Sequence, residues 1–397
     1  MPVEEALSKI VTGVKPTAIE LVKLSDAHGR VLARDLRARR DQPPFPASAM
    51  DGYAVRADDL ADLPVRLTLK GISAAGHGFA STVQRGEAVR ILTGAPVPKG
   101  ADAIVVQENT EIDARQVIIL SAPRQGQHIR ARGLDFRRGD VLLRAGKRLN
   151  ARDLGIAAAT NVAALPVRRR PRVAVFATGD ELVRPGAVPG PSQIISSNTA
   201  AIAALVEQFG GVAQDLGIVR DSLAATLRTM ERARGFDIVL STGGASVGDH
   251  DFVYQAFQKA GVRLGFWKVA MRPGKPLVFG TRGRQRILGL PGNPVSALVC
   301  ARLFLKPLLD ACLGLAAEDP LIPARLGTPL KQNDSRQDYV RAKLARTSDG
   351  VLVATPYEVQ DSSMQRTLAE AGAFIVRKPH APALAAGAVV DVMPIDF

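Results

Sequence analysis

The stretch FDIVLSTGGASVGDHDF, residues 236–252, concentrates residue types that handle anions and metals. An apolar run at 237–240 leads straight into Ser241, Thr242, Gly243 and Gly244, with Ser246 and Gly248 close behind. Glycines let backbone amides approach an anion with no Cβ in the way, and hydroxyls add donors. Asp249 and Asp251 suit Mg²⁺, which takes one or two carboxylate oxygens and keeps water. His250 lies between them and is not counted as a ligand. The bland reading of the same residues is an ordinary Gly-Gly turn followed by solvated acids. The loop lacks the Gly-Lys-Ser or Gly-Lys-Thr ending of a Walker A loop and is not GxGxxG, which weakens a generic kinase or dinucleotide reading.

Three further places could work with this loop. Thr178, Gly179, Asp180 and Glu181 follow another apolar run, and Asp221 in IVRDS follows a third; these acids either share one cleft or open helices. In WKVAMRPGKPLVFG, Lys268, Arg272 and Lys275 surround a Pro-Gly turn, and three cations there suit an oxyanion. LPGNPVSA places Pro291, Gly292, Asn293 and Pro294 between a strand and a helix, which suits a phosphate or pterin contact or a plain rigid turn.

The elements that position these loops follow from periodicity. Apolar residues at three and four spacing predict helices over 3–10 and 18–32. Short β-like runs fill 52–139, and ARDLGIAAAT with Asn150 as cap predicts a helix. Strands at RVAVF, GGVAQDLGIV and FDIVL alternate with helices at NTAAIAALVEQFG, capped by Asn198 or Thr199, and SLAATLRTMERARG. That alternation predicts a mostly parallel, doubly wound sheet, in which a ligand sits beyond the carboxyl ends of the strands. Five short strands from about residue 319 predict a C-terminal β domain.

Composition sets the bounds. A chain of 397 residues with 46% apolar and 23% charged residues is globular and large enough for several domains. The net charge of +14 favours acidic partners, but the basic residues are dispersed and one Trp and four Tyr make a poor stacking platform, so nucleic acid is not expected. Cys300 and Cys312 suggest neither a disulfide framework nor a zinc site. No signal-peptide profile or membrane span is read, and a cytoplasmic location is expected.

PPFPASAMDGYAV, RILTGAPVPKGADAIVVQE, ATGDEL, STGGASVGDHDF, MRPGKP and LPGNPVSA occur in one order from end to end, and together they resemble the molybdopterin molybdenumtransferase family, which includes the E domain of gephyrin. The resemblance implies a multidomain α/β plus β protein. Its parts are a small helical connector (20–38 and 140–168), a mostly β domain (39–139), a doubly wound α/β domain like that of the pterin adenylyltransferases (1–19 and 169–318) and a C-terminal β-barrel-like domain (319–397).

It also implies Mg²⁺-dependent insertion of molybdate into adenylyl-molybdopterin with release of AMP. The family forms homodimers whose cleft lies between the α/β domain of one subunit and the second domain of the other. The pterin adenylyltransferase and other cofactor-assembly proteins are further partners to expect. By position, Asp51, Thr93, Glu181, Asp221, Lys268, Arg272 and Lys275 match catalytic positions, with Arg272 where many members have Lys. Glu181 with Asp249 and Asp251 would hold the metal, while Asp135, Arg341 and Ser362 would join the loop residues in binding the pterin substrate. At Asp361 the family's usual Gly is absent. A pterin adenylyltransferase would lack the flanking β segments. A gephyrin-type scaffold would need a second catalytic domain, and a competence-damage-type nucleotide hydrolase would lack AMDGY and LTGAP.

Overall fold

The computed structural model describes residues 1–244, 252–316 and 321–397. The second domain is built on a six-stranded sheet whose neighbours, in order, are Ala103–Val106, Gly52–Val55, Glu87–Ile91, Val65–Ser73, Gln116–Ile119 and Thr110–Asp113. Its close packing explains one glycine of the AMDGY block. A Cβ on Gly52 would lie 1.9 Å from the Val105 carbonyl oxygen, so only glycine lets the chain enter the sheet there.

Between this sheet and the α/β unit, the connector carries one helix, Ala151–Ala159, and paired strands. Asn150 and Asp153 form a reciprocal capping box at the helix start. The helix expected over 18–32 is not there. Ile19–Lys23 is a strand paired antiparallel with Ala164–Arg168, and Leu24–Asp26 is a single 3₁₀ turn. Ile19 and Leu21 are exposed while Glu20 reaches Arg30, a period-two pattern that three-and-four spacing of Ile, Leu and Val also fits.

The α/β sheet runs Val212–Val219, Arg172–Thr178, Ile238–Thr242, Gln285–Leu290, Pro276–Arg282, Arg263–Lys268. The first four strands are parallel, and their carboxyl ends (Val219, Thr178, Thr242 and Leu290) share one edge. The last two pairings are antiparallel, within the mostly parallel sheet expected. Arg282 pairs with Gln285 across Gly283 at φ +61°, and so short a connection makes a hairpin, leaving no chain for a crossover helix. Asn198–Gln208 and Leu223–Arg232 pack on the sheet, and the N-terminal helix Val3–Val11 seals one face through Val3, Ala6 and Ile10.

In the C-terminal domain Gln337–Arg346, Leu352–Pro356, Ile322–Leu326, Val389–Pro394 and Ala373–Arg377 close into a five-strand barrel, the first strand pairing with the last. Met271–Arg272 from the α/β unit adds in parallel to the barrel strand at Gln337 and Asp338, joining the two units through the cation turn.

Candidate active site

At the shared strand edge Gly243 and Gly244 have φ values of +88° and +62°. A Cβ would lie 2.4 Å from the Thr178 carbonyl oxygen at Gly243 and 2.5 Å from Val253 Cγ2 at Gly244. Both glycines are therefore demanded by packing as well as by any anion. Thr242 Oγ1 donates to the Pro291 carbonyl at 3.0 Å. Asn198 Nδ2 donates to Thr242 Oγ1 at 2.9 Å and to the Gly292 carbonyl at 2.7 Å. Asn198 thus ties the glycine loop to the 291–294 loop. The sequence shows it only as a helix cap; the cap position is Ser197, whose side chain makes no capping bond. An Asn at a helix start carries no signal that separates the two roles.

The C-terminal domain supplies the facing wall. Asn293 Nδ2 donates to Ser362 Oγ at 2.7 Å, and Val295 N donates to the Ser362 carbonyl. Gln365 Nε2 reaches Ser197 Oγ at 2.6 Å. Arg341, expected among the pterin-binding residues, braces the facing loop in this structure. It is 1% exposed, and its guanidinium donates to Gln360 Oε1 and the Met364 and Asp361 carbonyls, fixing the loop that carries Ser362. At Asp361 the carboxylate takes the Ser363 amide and hydroxyl, a local turn that holds it below the usual carboxylate range.

These walls enclose a cavity of about 420 Å³, to which Thr178, Glu181, Ser196, Asn198, Thr242, Gly243 and Asn293 contribute. Around this edge the buried hydroxyls of Thr178, Ser196 and Ser241 have no hydrogen-bond partner among the described residues. Such groups are uncommon and point to an absent ligand or water.

Glu181 and Asp221 come together, joined by Asp180. The Asp221 amide donates to Asp180 Oδ1 at 3.3 Å. Burial, then the Asp180 and Glu181 charges, push the Asp221 carboxyl above the usual range. Among the described residues no three His, Cys, Asp or Glu are grouped closely enough to hold a metal. Ser246, Gly248, Asp249 and Asp251 lie outside the described residues.

In the second domain Asp51 and Thr93 do meet. The Thr93 amide and hydroxyl donate to the same Asp51 oxygen at 2.7 and 2.8 Å, holding the carboxyl below its usual range. Asp135 is exposed, with its amide on the Gln42 carbonyl at 2.9 Å. Within one chain none of the three lines the strand-edge cavity.

The cation turn divides into exposed and engaged residues. Lys268 is exposed with its ammonium 5.6 Å from the Trp267 ring centre, and Lys275 is exposed. Arg272 turns away into acids. It pairs with Asp338, reaches Asp334 at 3.4 Å and donates to Asn333 Oδ1 at 3.3 Å. Its fork is engaged by Asp338, Asp334 and Asn333, which braces the turn, while Lys268 and Lys275 stand exposed beside it. Both cysteines are unpaired and buried, and burial pushes Cys312 up to about 12 and Cys300 higher, so neither is a nucleophile. No described helix is long and apolar enough to cross a membrane.

Comparison with known proteins accounts for this assembly. Family models match along the chain: "MoeA N-terminal region (domain I and II)" over residues 1–160, "Probable molybdopterin binding domain" over 174–311 and "MoeA C-terminal region (domain IV)" over 323–395. Molybdopterin molybdenumtransferase of Nostoc is 40% identical over 82% of this chain and 77% of its own. That of Haemophilus influenzae is 33% identical over 100% and 99%. A molybdopterin biosynthesis MoeA crystal structure from Pyrococcus horikoshii superposes with a TM-score of 0.87 at 30% identity, covering 99% of this chain and 98% of that one. The chain therefore belongs to the molybdopterin molybdenumtransferases, enzymes of molybdenum cofactor biosynthesis.

Proposed function

We propose that this enzyme inserts molybdate into adenylyl-molybdopterin in a Mg²⁺-dependent reaction that releases AMP and yields Mo-molybdopterin in the cytoplasm. The observation that carries the reading is the strand-edge cavity, whose polar wall of hydroxyls and loop amides abuts three clustered acids. The substrate's pterin and phosphates would lie on Thr242, Gly243, Gly292 and Asn293, with Ser362 holding the loop from the far side. Lys268 and Lys275 would attract molybdate and offset charge as AMP departs.

Asp180, Glu181 and Asp221 do not form a metal site by themselves, but the like charges that raise Asp221 would be relieved by a divalent cation whose ligands the adjoining loop completes. Glu181, with Asp249 and Asp251 from the adjoining loop, would hold Mg²⁺, which when bound polarises the phosphoanhydride. Asp51, Thr93 and Asp135 would complete the cleft from a second copy, since they lie apart from the cavity of their own chain.

The test mixes purified protein with adenylyl-molybdopterin and Mg²⁺, with and without molybdate, and follows AMP and pterin-bound molybdenum. AMP release that requires molybdate and yields metallated pterin is expected. Tight binding of the pterin without turnover would replace the transferase reading with that of a carrier.

A further inference from the structure

The C-terminal barrel opens at one end into a second cavity of about 700 Å³ that shares no residue with the strand-edge site. Leu330 and Val340 bring the apolar lining of the barrel to its wall. Arg377 brings a charge. Its position opposite Asp338 on the neighbouring strand makes that carboxylate its natural partner, yet Asp338 is taken by Arg272. Arg377 is 4% exposed, and its Nη2 donates to the carbonyls of Lys331, Ala381 and Pro382. Its Nη1 has no hydrogen-bond partner among the described residues, and the Asp338 charge, on the same cavity, acts on it only from a distance. Tyr357 lines the same cavity and its hydroxyl is also buried without a partner.

A guanidinium cannot shed its charge by deprotonation, so a buried one short of acceptors is expensive until an anion joins it. The apolar wall asks for more than a bare ion. Glu358 on the same cavity weighs against polyanions. We propose that the barrel mouth binds a small organic monocarboxylate, whose oxygens accept from Arg377 while its apolar body rests on Leu330 and Val340. Within the cavity this pairs the vacant donor and covers the apolar wall together. The site shares no residue with the strand-edge cavity, and Arg272 of the cation turn borders it.

Benzoate is a suitable probe, with inorganic phosphate as the bare oxyanion. Calorimetry on the full chain should give saturable 1:1 benzoate binding that Arg377→Met weakens at least ~10-fold, the loss of a charge-assisted hydrogen bond. Thr328→Trp, on an exposed wall residue, should weaken it similarly by filling the mouth while leaving Arg377 in place. If Arg377→Met does not fold, Thr328→Trp decides alone. Absence of benzoate binding at millimolar concentration, binding unchanged by Thr328→Trp, or phosphate binding in preference to benzoate would each overturn the proposal.

Discussion

Three carboxylates, Asp180, Glu181 and Asp221, converge where two strand ends meet, and the Asp221 carboxyl carries the strain of that meeting through burial and its neighbours' charge. A carboxyl whose folded pKa is raised costs stability wherever it is ionised, so the cost is fully present above the folded pKa, fades as pH falls through it and is gone below the ordinary carboxylate range. Asp221→Asn should therefore stabilise the fold at pH 7 while lowering transferase activity. The gain should be no more than ~1 kcal/mol, because Asp221 is largely exposed and solvent screens it. Denaturant midpoints at pH 7 and pH 4 check this; a gain that persists undiminished at pH 4 would refute the electrostatic origin. At this scale the positions of Glu181 and of the Gly243–Gly244 pair at the strand edge were legible, since each directly follows a strand-like run. It was opaque at Asn198, whose bonds to Thr242 and Gly292 come from loops far along the chain.

At the scale of elements, Met271–Arg272 is the join between the α/β sheet and the barrel. Gly274 at φ +103° packs so tightly that a Cβ would lie 2.5 Å from Cys300 Sγ, fixing the turn from one side while Arg272 fixes it from the other. The planar fork of Arg272 serves Asp338, Asp334 and Asn333 together, a geometry that the single ammonium of a lysine does not reproduce. In a double-mutant cycle Arg272→Gln and Asp338→Asn should couple by about 1 kcal/mol, since the arginine is half exposed and its partner largely buried. Additive effects would sink the brace. The strands of the barrel and of the parallel half-sheet were legible from short apolar runs and glycine stops. The strand at Ile19–Lys23 was not, because its partner Ala164–Arg168 lies far along the chain and its own pattern fits a helix as well. The partners of Arg341 and Arg272 were illegible for a related reason: a sequence shows that a cation is present, and only the fold shows which acceptors hold it.

At the scale of the whole molecule, one chain holds the parts of the proposed reaction in two separate places. The cavity, the acids and the C-terminal wall sit at one sheet edge, while Asp51, preorganised by Thr93, stands in another domain without lining that cavity. If a second copy brings Asp51 to the cleft, each site draws residues from both chains. Asp51→Asn and Asp221→Asn homodimers would then each be inactive at both sites. A mixed dimer differs, because both substitutions fall in one of its sites and the other is wild type. Random reassembly of equal amounts puts half the protein in mixed dimers with one working site of two, so roughly a quarter of wild-type turnover should return. Assaying AMP release after joint dissociation and reassociation checks this, with the same mixture left unexchanged as the control. Recovery near a quarter would assign Asp51 to the cleft of its partner. No recovery from well-folded, exchanged dimers would place all the catalytic groups within a single chain and require Asp51 to act without reaching the cavity.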